Sequence, residues 1–316
     1  MIRFRSSLLA ASLIALALNT DPAQSQQARS FVSGLGNDAN APNCTRTAPC
    51  RTFQKAHDST IPSGEITVLD AGSYGGVIIN RNISIINDGV GEAGALVSGG
   101  GVGITVNAGA NDRVSLRGLT IKGLDPQFGG SNGIKFISAA SLTVENCAIR
   151  NMTGDGIEML GDLPSGTIST FTLSNTFVSD NGGNGIYIQP TGSGRLRVLL
   201  NRVEIYNNLA DGLGIAVTGL NSAVVTDSVS ANNLQSGFVM FGGSQLPCPS
   251  LTIIRSLAYS NGKYGAQADL CSYVVLTDNV MTDNFISDWG FTNGGIVISY
   301  GGNLGSGNIS FSNPKQ

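Results

Sequence analysis

Lys135, Glu158 and Tyr187 hold the same place in successive copies of one short pattern, Gly133-Ile134-Lys135-Phe136, Gly156-Ile157-Glu158-Met159 and Gly185-Ile186-Tyr187-Ile188. Asp155, Asn184, Asp211 and Tyr264 each stand immediately before the glycine of such a copy. Two carboxylates held close together are the groups that break a glycosidic bond, one protonating the leaving oxygen while the other activates water or attacks the sugar. A lysine or tyrosine could instead remove a proton beside a uronate whose charge a second group neutralises. The candidate catalytic residues are therefore Lys135, Asp155, Glu158 and Tyr187, with Asn184, Asp211 and Tyr264 as candidate substrate contacts. The same residues admit a plainer account, in which Lys135 and Glu158 form a surface ion pair and Asp155, Asn184 and Asp211 are turn formers.

Other chemistries find little footing. Asp155 and Asp211 are two copies apart with Asn184 between them, which is thin for a calcium cage. No CxxC spacing, nucleotide-binding loop or calcium-binding nonapeptide repeat occurs, so neither a metal site nor a cofactor is expected. The one histidine, His57, falls outside the repeats and is expected to be solvated.

The candidates are meaningful only if their copies stack. The Gly-apolar-x-apolar pattern recurs at Gly103, Gly133, Gly156, Gly185, Gly212, Gly237, Gly265 and Gly295, 23 to 30 residues apart. A second pattern, apolar-x-apolar-x-polar, keeps step with it, its central residues being Ile85, Leu116, Val144, Leu173, Leu199, Val225, Ile253 and Leu276. A third short segment follows, carrying Thr120, Ala148, Phe177, Val203, Val229, Leu257 and Val280, before an Asn-rich turn. Period-two alternation marks all three as strands with one side inward. No single copy buries its own apolar side, so the copies must stack as coils of a solenoid. The outward column of the glycine strand then reads Thr105, Lys135, Glu158, Tyr187, Gly214, Val239, Gln267 and Val297. Lys135 to Tyr187 would span about 10 Å, the reach of two sugar units.

Asn87, Asn146, Asn175, Asn201, Asp227 and Asp278 close the second segment, where a residue tolerant of left-handed backbone angles is wanted, and stacked amides there could bond as a ladder. Arg255 does not obviously suit that corner. Drifting repeat length argues against a left-handed hexapeptide helix, and the units are too short for propeller blades.

This arrangement, with the opening Phe31-Val32-Ser33-Gly34-Leu35-Gly36-Asn37-Asp38 and Pro49-Cys50-Arg51-Thr52-Phe53-Gln54-Lys55-Ala56, resembles the pectin-lyase-like superfamily of right-handed parallel β-helices across nearly the whole chain after residue 25. The resemblance implies an all-β solenoid of eight or more coils with a short N-terminal helical cap at residues 49–58. It also implies that any substrate lies along the outer face of the glycine strand. Asp155-Gly156-Ile157-Glu158 resembles part of the polygalacturonase motif, but the paired Asp, the Gly-His-Gly and the Arg-x-Lys of that family are missing, as is the Asp-Pro-His-Glu of some epimerases.

Cys248 and Cys271 each precede an equivalent strand by three residues, so they share a register on adjacent coils and are expected to be bridged. Cys44 and Cys50 bracket the loop before the helical cap and are the expected second bridge. Cys147, with Leu119 and Thr176 as its column neighbours, is left as a free thiol.

Residues 1–25 read as a charged start, an apolar run from Leu8 to Leu18 and a small-residue end, the order of a secretory leader. The expected divisions are that leader, a lead-in and helical cap at 26–63, and the β-helix at 64–316. Beyond residue 25 there are 16 basic and 20 acidic side chains, which disfavours nucleic acid as a partner. A secreted or periplasmic protein without a membrane anchor is expected, and a monomer. Two functions fit: engagement of extracellular or envelope polysaccharide without catalysis, or a polysaccharide lyase or glycoside hydrolase using the patch. The first is preferred, because no family's full catalytic set is present.

Overall fold

The glycine strands stack because each buries its two flanking apolar side chains and leaves the residue between them outside. The computed structural model describes residues 26–124, 128–217, 221–243 and 246–312, and the expected leader lies outside them. Among these, nine parallel strands form one sheet: Val77–Ile79, Val102–Asn107, Asn132–Ser138, Ile157–Met159, Ile186–Ile188, Leu213–Ala216, Phe238–Phe241, Tyr264–Asp269 and Ser287–Thr292. A second parallel stack holds the apolar-x-apolar segments, including Ser141–Glu145, Ile168–Ser179, Arg195–Tyr206 and Ser222–Thr226, and a third carries the short strands that follow, such as Ala148–Arg150 and Val229–Ala231. The result is an all-β, right-handed parallel β-helix of about eight turns, with one short α-helix among the described residues.

Ile104, Ile134, Ile157, Ile186, Leu213 and Phe238 make one continuous interior column, each at most 1% exposed. Burying side chains of this size contributes about 1.5–3 kcal/mol apiece, which is why stacking rather than any single coil carries the stability.

The glycine that opens each copy has a steric cause. At the turn before it, one buried asparagine per coil donates its side-chain amide to the next: Asn181 to Asn208 at 2.9 Å, Asn208 to Asn233 at 2.8 Å, Asn233 to Asn261 at 3.0 Å and Asn261 to Asn284 at 2.9 Å. Asp288 ends the row, accepting from Asn284 at 3.0 Å. A Cβ on Gly156, Gly185, Gly212, Gly237 or Gly265 would lie 2.8 Å from a ladder amide nitrogen, so only glycine fits.

The amide ladder therefore stands one corner later than expected. After the second strand, Asn87 and Asn201 do not take left-handed angles, whereas Asn146, Asn175, Asp227 and Asp278 take them as expected, as do Arg202 and Arg255, φ 46 to 55°. Their side chains reach outward, and where they pair it is through arginine: Arg202 Nε donates to Asn175 Oδ1 at 2.6 Å, and Arg255 grips Asp227 through two hydrogen bonds of 2.8 Å. These bonds explain how arginine occupies a corner that suits asparagine.

Two expected registers are corrected. Leu200, not Leu199, is the buried residue aligned with Leu173 and Val225, while Leu199 is exposed; Glu204, not Val203, aligns with Phe177 and Val229. Gly295-Ile296 does not open a glycine strand: Ile296–Ser299 pairs with Tyr273–Thr277, and Ser287–Thr292 closes the nine-stranded sheet.

The helix, α1 (Phe53–Ser59), is capped by Thr52, whose hydroxyl accepts from Lys55 N, and Phe53 packs on Tyr74 with ring centroids 5.1 Å apart. Gln54 Oε1 accepts from Ile78 N at 2.9 Å, satisfying a donor on the edge strand of the nine-stranded sheet. His57 is fully buried rather than solvated, because its helix face packs on the coil; its Nε2 has no partner. Both expected bridges are present, Cys44–Cys50 and Cys248–Cys271, with Cα separations of 4.9 and 5.2 Å. Cys147 is a buried free thiol between Leu119 and Thr176, and burial pushes its pKa up to about 11. Among the described residues no helix is long and apolar enough to cross a membrane.

Candidate functional site

Parallel pairing sets the outer column of the nine-stranded sheet. Ile78, Thr105, Lys135, Glu158, Tyr187, Gly214, Val239, Gln267 and Gly290 follow one another in register. Gly290 therefore ends the column in place of Val297, which is buried in the second stack. Val239 holds its column position but is fully buried.

Lys135, Glu158 and Tyr187 do come together on three consecutive coils. Lys135 Nζ lies 3.1 Å from Glu158 Oε2, so each charge is answered by the other. The Tyr187 ring lies across the next coil, where a Cβ on Gly214 would meet Tyr187 Cδ2 at 3.2 Å. Three coils further on Tyr264 repeats the device, since a Cβ on Gly290 would meet its Cε1 at 2.7 Å. Tyr264 is thus apart from the Lys135 patch but of the same construction.

Asp155, Asn184 and Asp211 run beside this column as a second row of hydrogen bonds. Asp155 Oδ1 accepts from the backbone and side-chain amides of Asn184 at 2.6 and 3.0 Å. Asn184 Oδ1 accepts from Asp211 N at 3.1 Å, and Asp211 Oδ1 from Ser236 N at 2.8 Å. Each side chain thereby satisfies a backbone donor of the neighbouring coil, the work of turn residues. Burial raises the carboxyl pKa of Asp155, against the Asn184 hydrogen bonds and with a smaller push from Glu158; burial also raises Asp211, opposed by Ser236 and Lys263. The Tyr187 hydroxyl is raised by burial and then by Asp155, Asp211 and Glu158.

A second outward column escaped the sequence reading. Leu160, Gln189, Ala216 and Phe241 lie two residues beyond Glu158, Tyr187, Gly214 and Val239, and with Pro190 and Val217 they line a groove of about 540 Å³. The period-two rule that gave the first column predicts it. Among the described residues no three His, Cys, Asp or Glu side chains converge to hold a metal ion.

The chain belongs to the family described as right-handed beta helix region, whose model matches residues 102–268 and 171–316. No curated protein matches it. Among solved structures it is similar to pectate lyase Pel9A, with 17% identity and a TM-score of 0.60 over 92% of this chain and 79% of that one. It is also similar to an alginate lyase from Paenibacillus sp. str. FPU-7, with 14% identity and a TM-score of 0.56 over 90% of this chain and 98% of that one. At these identities the likeness concerns the fold.

Proposed function

We propose that the outer face of the nine-stranded sheet binds an extended polysaccharide and does not cleave it. The observation that carries this reading is the pair of tyrosine rings, Tyr187 and Tyr264, each laid over a glycine of the following coil. They form two apolar platforms about 14 Å apart on one straight face, with the groove at Ala216 and Phe241 beside the interval between them. A ring lying along the sheet offers the stacked surface that the C–H face of a sugar fits, while the phenol keeps a polar edge for its hydroxyls. The groups that would do acid/base chemistry are already committed, Lys135 to Glu158 and Asp155 to Asn184. The leader expected at residues 1–25 and the two disulfides support a place outside the cytoplasm, where such polymers are met.

One observation favours the enzymatic alternative: the raised carboxyl of Asp155 beside Glu158 and Tyr187 suits a proton donor. Incubation with a panel of neutral and acidic polysaccharides separates the two. Retention in affinity electrophoresis with no new reducing ends and no unsaturated-uronate absorbance is expected, and Tyr187→Ala or Tyr264→Ala should weaken retention. Turnover lost in Asp155→Asn with Glu158→Gln would instead establish the lyase or hydrolase.

A further inference from the structure

We infer that the polymer held on this face is a neutral glycan and not a polyuronate, an inference that rests on the polysaccharide-binding reading above. The two solved structures named above bear the names of lyases of acidic polymers, pectate and alginate. The charges around Tyr187 are arranged the other way. Glu158 is the register partner of Tyr187 on the coil before, and Asp155 and Asp211 stand at the turns of the coils on either side, each bonded to Asn184. The cation in the column, Lys135, is held 3.1 Å from Glu158, and its charge is spent there. Lys263, which lies near enough to influence Asp211, points its Nζ to Gln235 at 3.0 Å. The platform between the two tyrosines is Gly214, Ala216, Val239 and Gln267, without a formal charge among them.

A polyuronate brings one carboxylate per sugar. Laid along this column it would set carboxylates against Asp155, Glu158 and Asp211 at the Tyr187 end, three acidic groups against Lys135, which is paired with Glu158, and Lys263, which is held by a neutral amide. A neutral sugar meets none of that repulsion. Its apolar face covers the rings, and its hydroxyls reach the outer oxygen of Glu158, the amide of Gln189 and the phenols of Tyr187 and Tyr264.

The test measures binding of the whole protein to a neutral xylan and a neutral β-glucan against polygalacturonate and alginate, at low and high ionic strength, with chelator and with calcium. The expected result is retention by a neutral polymer and binding at least about tenfold weaker to both uronates at low salt, the gap narrowing as salt screens the carboxylates. Glu158→Gln, which frees Lys135 and removes one negative charge, should raise uronate binding several-fold. Uronate binding equal to or tighter than neutral binding in the parent, in either calcium condition, overturns the inference but leaves polysaccharide binding standing. Preference for a cationic amino-sugar polymer over the neutral ones overturns it equally. Binding of no polymer at all, or binding that survives Tyr187→Ala with Tyr264→Ala, defeats the underlying reading itself.

Discussion

Tyr187 rests its ring on the bare backbone of Gly214, one coil along the stack, so closely that a Cβ there would stand 3.2 Å from the ring. Gly214 has no left-handed backbone angle and faces outward, so its lack of a side chain serves the ring and not the chain path. Gly214→Val should lift the ring from the sheet and reduce polysaccharide binding about tenfold, with little change in thermal midpoint because the added methyls lie on the outside. Tyr187→Phe should keep most of the affinity. Isothermal titration beside a melting curve checks both, and an unchanged affinity in Gly214→Val would mean the ring is not a platform.

The Cys248–Cys271 bridge closes 23 residues across adjacent coils. In a solenoid such a staple stops a coil from peeling away from its neighbour. Replacing both cysteines by serine should cost about 3 kcal/mol of unfolding free energy. Urea unfolding of the double variant measures this, and peptide mapping without reduction should recover the two bridges with Cys147 alkylated only after unfolding.

Most of the fold was legible because the interior demands a strict alternation that apolar residues report directly. It failed where the pattern is ambiguous. Val198-Leu199-Leu200 offers an apolar residue in both frames, and Asn201 invited the choice of corner, whereas the chain turns at Arg202 with φ 53°, held by Asn175. Ser287-Asp288-Trp289-Gly290 escaped notice because its strand lacks the leading glycine. The site was legible as a register, in that Lys135, Glu158 and Tyr187 do align. What each side chain does was not, since the Asp155 to Asn184 bonds depend on which way a turn residue points, and period alone does not specify that.

Asn233 is 1% exposed and sits mid-ladder, accepting from Asn208 and donating to Asn261. Asn233→Leu leaves the backbone N–H and the side-chain amide of Asn208 buried without an acceptor, while Asn261 Oδ1 keeps only the backbone N–H of residue 233, a loss of about 2–4 kcal/mol. Asn233→Asp should also destabilise, because a carboxylate cannot donate to Asn261. Chemical denaturation compares them, and a cost below about 1 kcal/mol for both would show the ladder to be dispensable.

His57 supplies a pH dependence of known sign. Burial in α1 lowers its pKa from the ordinary 6.5, with Arg81 adding to the effect and Asp58 opposing it. The unfolded chain then takes up a proton near pH 6.5 that the folded chain refuses until lower pH. Stability from the neutral imidazole is full above the unfolded pKa and is lost as pH falls towards the folded one. The loss amounts to about 1.4 kcal/mol for each unit by which burial depresses the pKa. His57→Gln, similar in size and without a charge to gain, removes this component. The difference in unfolding free energy between parent and variant should therefore be constant above neutrality and shift against the parent as pH drops below about 6.5. A difference that does not change between pH 8 and pH 5 would mean that His57 titrates alike in both states, and that its burial does not hold it neutral.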